Sequence, residues 1–323
     1  METRRESLKH LIAGAVSLGS GALSRAAEPK LTIGLGQGNY GMQNYPVDKA
    51  IQMIADVGYD SVELTLMPGW PTEPAKVSAS ERRSIRKQVG DLGLAMPSLL
   101  DTIPVLPKNS LDHKNNLERI RRGAQFGHDV NPGVGGVTPC IQTTLGSKSQ
   151  DWDSQKGLAA EHLKDWSEVG KEMRMVVAFK GENLNINDTS QKTLWLLQQV
   201  NSPWLRVLYD YSHYQAGGET LPDSLNRLMP YTVMVSIKDG KNYTDKPGFE
   251  RLLPGDGSID YADYYRRLMQ LHYHGHTVVE ISHQISIRAG YDPVYAVKHS
   301  YANIAPIMAK VGVPRPPHKK VAL

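Results

Sequence analysis

Glu182, Asp210, His213, Lys238, Asp239 and Glu280 have side chains suited to acid–base or metal chemistry, and each follows a short apolar run. The runs read MVVAF before Lys180-Gly181-Glu182, RVLY before Asp210-Tyr211-Ser212-His213, TVMVSI before Lys238-Asp239, and HTVV before Glu280. A buried strand that ends in charge places that charge at the rim of the core. Four such ends converging on one site would bring Glu182, Asp210 and Glu280 into one cavity. Three carboxylates held together repel and raise one another's pKa. A divalent cation resolves the repulsion. Oxygen-rich ligand sets favour Mg²⁺ or Mn²⁺, and an added imidazole extends the range to Co²⁺ or Zn²⁺.

The elements that would position these residues alternate regularly. KLTIGLG reads as a first strand. Pro46 opens a helix in which Val47, Ala50, Ile51, Ile54 and Ala55 repeat at helical spacing, and Gly58 stops it. DSVELTL is a second strand. Ser78 with Glu81 forms a capping box for a helix running to about Gly90. LAMPSLL, interrupted by Pro97, and GGVTPCIQT, containing Pro139, are a third and a fourth strand around a basic helix near residues 117–124. Helices over 155–172, 189–200 and 221–229, and one built on Tyr261, Tyr264, Tyr265 and Leu268, precede the four strands described above. A last helix starts with Asp292 as cap and Pro293 in its first turn. Eight strand–helix units at roughly thirty-residue spacing predict a (β/α)8 TIM barrel, an α/β fold in a single domain over residues 28–312, with its active face at the C-terminal strand ends. An open doubly wound sheet lacks support, because GLGQGNYG does not match the spacing of a phosphate-binding turn.

Composition narrows the function classes. The 323 residues are 40% apolar and 22% charged, with a formal net charge of +4 and no basic run dense enough for a nucleic-acid track. Residues 313–323 form a short basic, proline-rich tail. The lone Cys140 excludes an intrachain disulfide or a multi-cysteine metal site and reads as a core residue. Residues 1–27 combine Arg4 and Arg5, an apolar segment from Leu11 to Leu23, and Ser24-Arg25-Ala26, in the order of an export signal. RRESLK is similar to the twin-arginine export motif, with Ser7 where phenylalanine is usual. The expectation is a periplasmic or exported bacterial protein. The apolar segment is too short to anchor it in a membrane.

The order of motifs resembles the sugar phosphate isomerase/epimerase family with a xylose-isomerase-like barrel, most strongly from Met175 to Ile304. Glu182 in KGEN, Asp210 and His213 in DYSH, SIKD at Ser236–Asp239, Arg251 in RLLPGDG and Glu280 in VVEIS fall in the family's order. The resemblance implies a metal held by Glu182, Asp210 and Glu280. Ser236 stands where the family has its histidine ligand. It further implies Glu182 and Glu280 as acid and base on opposite faces of a carbohydrate substrate, with His213, Lys238, Asp239 and Arg251 as substrate contacts. Trp70, in PGWP, is a candidate sugar-stacking platform. The implied reaction is isomerisation or epimerisation of a sugar or keto-sugar through an enediolate. A lyase or dehydratase, which expels a β-leaving group from the same enediolate, is the alternative. A sugar-binding barrel without catalysis is a second class, supported by Ser236, and a metal-dependent nuclease is a third. Family members are often oligomeric, but no interface is legible in this chain. Structural readings stand beside these: Glu182 and Glu280 as ion-pair partners of Lys180 and Lys238, Glu63 as core or pocket, and His272, His274 and His276 as surface residues at the opposite face. His283 is a weaker site candidate.

Overall fold

The computed structural model describes residues 31–317. Residues 1–27, where an export signal is expected, and the end of the tail lie outside the described residues. Among the described residues ten strands occur: β1 Ile33–Gly38, β2 Ser61–Thr65, β3 Ser98–Leu100, β4 Cys140–Thr144, β5 Val177–Lys180, β6 Leu205–Tyr209, β7 Thr232–Ile237, β8 Asp239–Asn242, β9 Phe249–Leu252 and β10 Gly275–Val279. Eight close into a barrel in the order β1-β10-β7-β6-β5-β4-β3-β2, and every pairing is parallel. β8 and β9 form a separate antiparallel hairpin. The helices are α1 Val47–Val57, α2 Ala79–Asp91, α3 Ser110–Val130, α4 Trp152–Met173, α5 Ser190–Val200, α6 Tyr211–Ala216, α7 Leu221–Leu228, α8 Tyr261–Gln270, α9 His283–Ser286 and α10 Pro293–Lys310. The single (β/α)8 barrel is therefore as expected.

Local chemistry sets most boundaries. Gly58 adopts a left-handed φ of 104° and ends α1. Ser78 and Glu81 exchange hydrogen bonds in the expected capping box. Asp292 caps α10 with Pro293 at its start. The basic helix is longer than its apolar core suggested, because Asn109 caps it at residue 110.

Side chains alternate across each strand with a period of two. Val177 and Phe179, Val207 and Tyr209, Val235 and Ile237 pack outward against helices, joined by Leu163, Trp166, Leu196, Leu225 and Leu268. The opposite set fills the barrel. Ala178, Leu208, Met234, Val278 and Cys140 make a small apolar plug. One inward step further along each strand come Lys180, Asp210, Ser236 and Glu280, all buried. The strands end in charge because the plug closes the barrel below and the next inward layer faces a cavity. On β1 the inward positions are glycines: a Cβ at Gly34 would lie 2.3 Å from the His276 ring, and one at Gly38 would lie 2.9 Å from Glu63 Oε1. β1 gives up side chains so that polar groups from β10 and β2 fit inside the barrel.

Candidate active site

Lys180 is the last residue of β5, and its ammonium points into the barrel. Its Nζ donates to Glu280 Oε2 at 2.9 Å and lies 3.7 Å from Asp210 Oδ2. Lys238, just past β7, places Nζ 2.6 Å from Glu280 Oε1 and 3.6 Å from the same Asp210 oxygen. Ser236 Oγ donates to Glu280 Oε2 at 3.4 Å. The two lysines and two carboxylates form one buried cluster. Burial alone would push the Glu280 carboxyl up, but Lys180 and Lys238 hold it down at about 2. Burial likewise opposes the Asp210 carboxylate, and Lys238 and Lys180 overcome it. For Lys180, burial disfavours the ammonium, and Glu280, Asp210 and Glu182 outweigh it, keeping it protonated.

Asp210 serves twice. Its Oδ1 accepts from the Ser212 amide and hydroxyl, capping α6, while Oδ2 faces the lysines. That short helix carries His213. Burial, then Lys238 and Arg251, hold the imidazole well below its ordinary pKa, so it is neutral. Arg251, on β9, donates from Nη2 to His213 Nδ1 at 3.0 Å. A neutral ring that accepts at Nδ1 carries its proton on Nε2. His213 Nε2 is buried without a hydrogen-bond partner, 3.5 Å from Asp210 Oδ2 and 3.9 Å from Glu182 Oε1. It is a donor aimed into the site.

Glu182 lies two residues beyond β5, at the cavity mouth, with its side chain 31% exposed. Asn185 Nδ2 donates to its Oε2 at 2.6 Å, leaving Oε1 open. A cavity of about 250 Å³ is lined by Tyr40, Gln142, Lys180, Glu182 and Glu280, among others. Tyr40 stacks on Trp70 at 5.3 Å between ring centres. Burial and the Glu280 charge raise the phenol's pKa, so it keeps its proton.

Several expected contacts change role. Trp70 is buried behind Tyr40 and does not line the cavity, so it supports a ring rather than stacking on a sugar. Asp239 turns away from the cavity: its carboxylate accepts backbone N–H groups from Gly240, Gly255, Gly257 and Ile259 and anchors the loop after β9. Arg251 holds His213 and Ser212 rather than open space. Glu280, expected as a base, has both oxygens occupied by ammonium groups. His276 sits at the start of β10, at the opposite face as expected, but is buried, with burial pushing it down to about 4. His283 begins α9 and is exposed. The buried Cys140 thiol is pushed up to about 12 by burial, so it is inert. Tyr40 and Lys180 are the residues that sequence reasoning passed over as site groups. The alternation that put Ala178 inward was the signal for Lys180.

Glu63 lies buried behind the wall of the site. Ser98 Oγ and Gln142 Nε2 both donate to its Oε2, and Gln142 lines the cavity. Burial and the Glu280 charge push this carboxyl up from 4.5 to about 7. The unfolded chain ionises it near 4.5, so folding stability falls as pH rises from 4.5 to 7 and stays lowered above that window. That shift corresponds to about 3 kcal/mol. Glu63→Gln keeps an oxygen for both donors and removes the charge. Its melting temperature at pH 8 should exceed that of the wild type by several degrees, with the gap closing by pH 5. Parallel thermal melts at the two pH values check this, and equal melts at pH 8 would remove Glu63 as a source of pH sensitivity.

The expected divalent-ion site is not the arrangement these side chains adopt. Among the described residues, no group of three or more His, Cys, Asp or Glu is arranged to hold a metal ion. The oxygens of Asp210 and Glu280 that would face an ion face Lys180 and Lys238, and Ser236 supplies a neutral hydroxyl. These residues do not fit a resident cation.

Comparison with known proteins places the chain. It is 21% identical over 290 residues to an inosose dehydratase from Geobacillus kaustophilus (strain HTA426), covering 81% of this chain and 86% of the relative. Its fold matches that of 3-keto-D-glucoside 4-epimerase from E. coli, with a TM-score of 0.66 and 16% identity over 85% of this chain and 99% of the other. The IOLI protein with a bound zinc atom has a TM-score of 0.70 and 14% identity over 86% and 99% of the two chains. At these identities the solved structures speak for the fold. The model of the xylose isomerase-like TIM barrel family matches residues 51–302, and the chain belongs to that family.

Proposed function

We propose that this chain is an enzyme that moves a proton at the carbon beside a carbonyl of a sugar or keto-sugar, as an isomerase or epimerase. The observation that carries the reading is an ionisable carboxylate, Glu182, at the mouth of a cavity whose wall presents the Lys180 ammonium, with the His213 Nε2–H beside that carboxylate. Such donors stabilise negative charge as it develops on oxygen. Glu182 takes the proton, and the C–H electron pair becomes the C=C bond of an enediolate. The former carbonyl oxygen takes the charge and is held by the donors. Return of a proton to the same carbon from Tyr40, whose phenolate is then reprotonated as Glu182 gives up the proton it took, gives the epimer. Return from Glu182 to the former carbonyl carbon, as the adjacent hydroxyl passes its proton to the former carbonyl oxygen, gives the isomer. Glu280 serves as the fixed counter-ion of the lysines.

A dehydratase reading has its own support in the relationship to an inosose dehydratase. There the enediolate expels a β-hydroxyl, which leaves as water. Among relatives, a zinc-bound structure makes a divalent ion the natural expectation for this family, but the donor set described above gives this chain's reaction no step through one. The order of charges and small residues in residues 1–27 supports action outside the cytoplasm. The test is incubation of the protein in D₂O with aldoses, ketoses, keto-glycosides and inososes. Deuterium at a carbon next to the carbonyl is the expected result. A product that gains only the deuterium marks an isomerase or epimerase, and loss of water with growth of enone absorbance marks the dehydratase. Absence of both deuterium uptake and loss of water with every member of the panel, from protein of verified fold, would overturn proton transfer as the activity.

A further inference from the structure

We propose that the ammonium groups of Lys180 and Lys238 take the place of a divalent cation in this barrel, so that the site polarises its substrate oxygen without a resident metal ion. The two lysines come from different strands and meet on opposite oxygens of one carboxylate, Glu280, at 2.9 and 2.6 Å. Both also approach one oxygen of Asp210, at 3.7 and 3.6 Å. Four inward ends of β5, β6, β7 and β10 thus share a pair of positive charges at the centre of the site. All four charged side chains are nearly inaccessible to solvent.

The charges already present oppose an added ion. Two ammonium groups already neutralise Glu280 and Asp210, and Arg251 is a further cation next to His213. A divalent ion would have to displace both Nζ atoms and leave two buried ammonium groups unpaired, which is strongly unfavourable. Ser236 offers only a neutral hydroxyl in compensation. The lysines meanwhile supply what an ion would. An ammonium has three N–H donors, and Lys180 lines the cavity. It uses one donor on Glu280, leaving others for the carbonyl and adjacent hydroxyl oxygens of a keto-sugar. Lys238, behind it, balances the second oxygen of Glu280.

This inference rests on the same site as the proposed function, but its test needs no substrate. The purified protein is dialysed, analysed for metals, and titrated with Mn²⁺ and Zn²⁺ by calorimetry and thermal melting. Far less than one ion per chain, and no saturable heat or melting shift, are expected. Lys180→Gln with Lys238→Gln bares the two carboxylates, and this variant should gain a Mn²⁺-dependent rise in melting temperature. A stoichiometric ion in the wild-type protein that Asp210→Asn removes would overturn the proposal. So would equal Mn²⁺ shifts in the wild type and the double variant. Should the double variant not fold, the wild-type titration decides alone. A failed substrate screen leaves these readouts untouched.

Discussion

Glu182→Gln should lower turnover by about 10²–10⁴-fold, the usual contribution of a positioned general base. Glutamine keeps the size of the side chain and can still accept the hydrogen bond from Asn185. It cannot take a proton at Oε1. The mouth position makes the test specific: the side chain is 31% exposed and stands outside the buried ion cluster, so the fold should survive. The measurement is kcat and KM on a substrate from the D₂O panel, together with a thermal melt. A fall in kcat with little change in KM or melting temperature is expected. Wild-type turnover would move the base elsewhere. Glu280→Gln would make a poorer test of basicity, since the change breaks two ion pairs at once.

Lys180→Met should destabilise the fold by about 3–5 kcal/mol, the cost of removing one partner from a buried ion pair. Methionine matches the stem of lysine, so lost packing contributes little. What remains is Glu280 and Asp210 sharing only Lys238. The free energy of unfolding in urea, extrapolated to water, measures the loss. The loss should shrink on acidification. Glu280 is held down at about 2, below its ordinary 4.5, so its contribution is full above 4.5 and disappears as pH falls toward 2. The wild type and variant should therefore converge in stability in acid. An unchanged urea midpoint at neutral pH would show that Lys238 suffices for both carboxylates.

The barrel was legible because its signals are local: apolar runs of strand length, helices with caps at Ser78 and Asp292, and thirty-residue spacing. Pro97 and Pro139 weakened two strands in the sequence, yet both prolines fall just before the strands they seemed to interrupt. The site was legible as a place and less so in its roles. Asp210, His213, Lys238 and Glu280 do come together, and Glu182 joins them at the mouth. Which groups pair depends on side-chain direction. Only Gly181 separates Lys180 from Glu182, and that short step carries the chain from inside the barrel to its mouth. Counting types at strand ends treats the two alike. The hairpin of β8 and β9 also escaped notice, since DGKN and FERL lack the apolar alternation of a core strand. Asp239 looked like a substrate ligand for the same reason: its partners are backbone N–H groups, which sequence does not display.

That hairpin has an implication for how the family can diverge in length. Its base is pinned by the Asp239 carboxylate, and a Cβ at Gly257 would lie 2.1 Å from Asp239 Oδ1, so nothing can be inserted there. Its far end, residues 241–248, is exposed. Lengthening an exposed tip is cheap: doubling a loop costs only about 0.6 kcal/mol in closure entropy. Evolution can therefore extend or trim the tip while Arg251 keeps its grip on His213 from the fixed strand below. Related chains should then differ in length between the positions of Asn242 and Phe249 and agree in spacing from Arg251 to Ile259, which makes this segment a natural place for lineages to add surfaces without disturbing the chemistry.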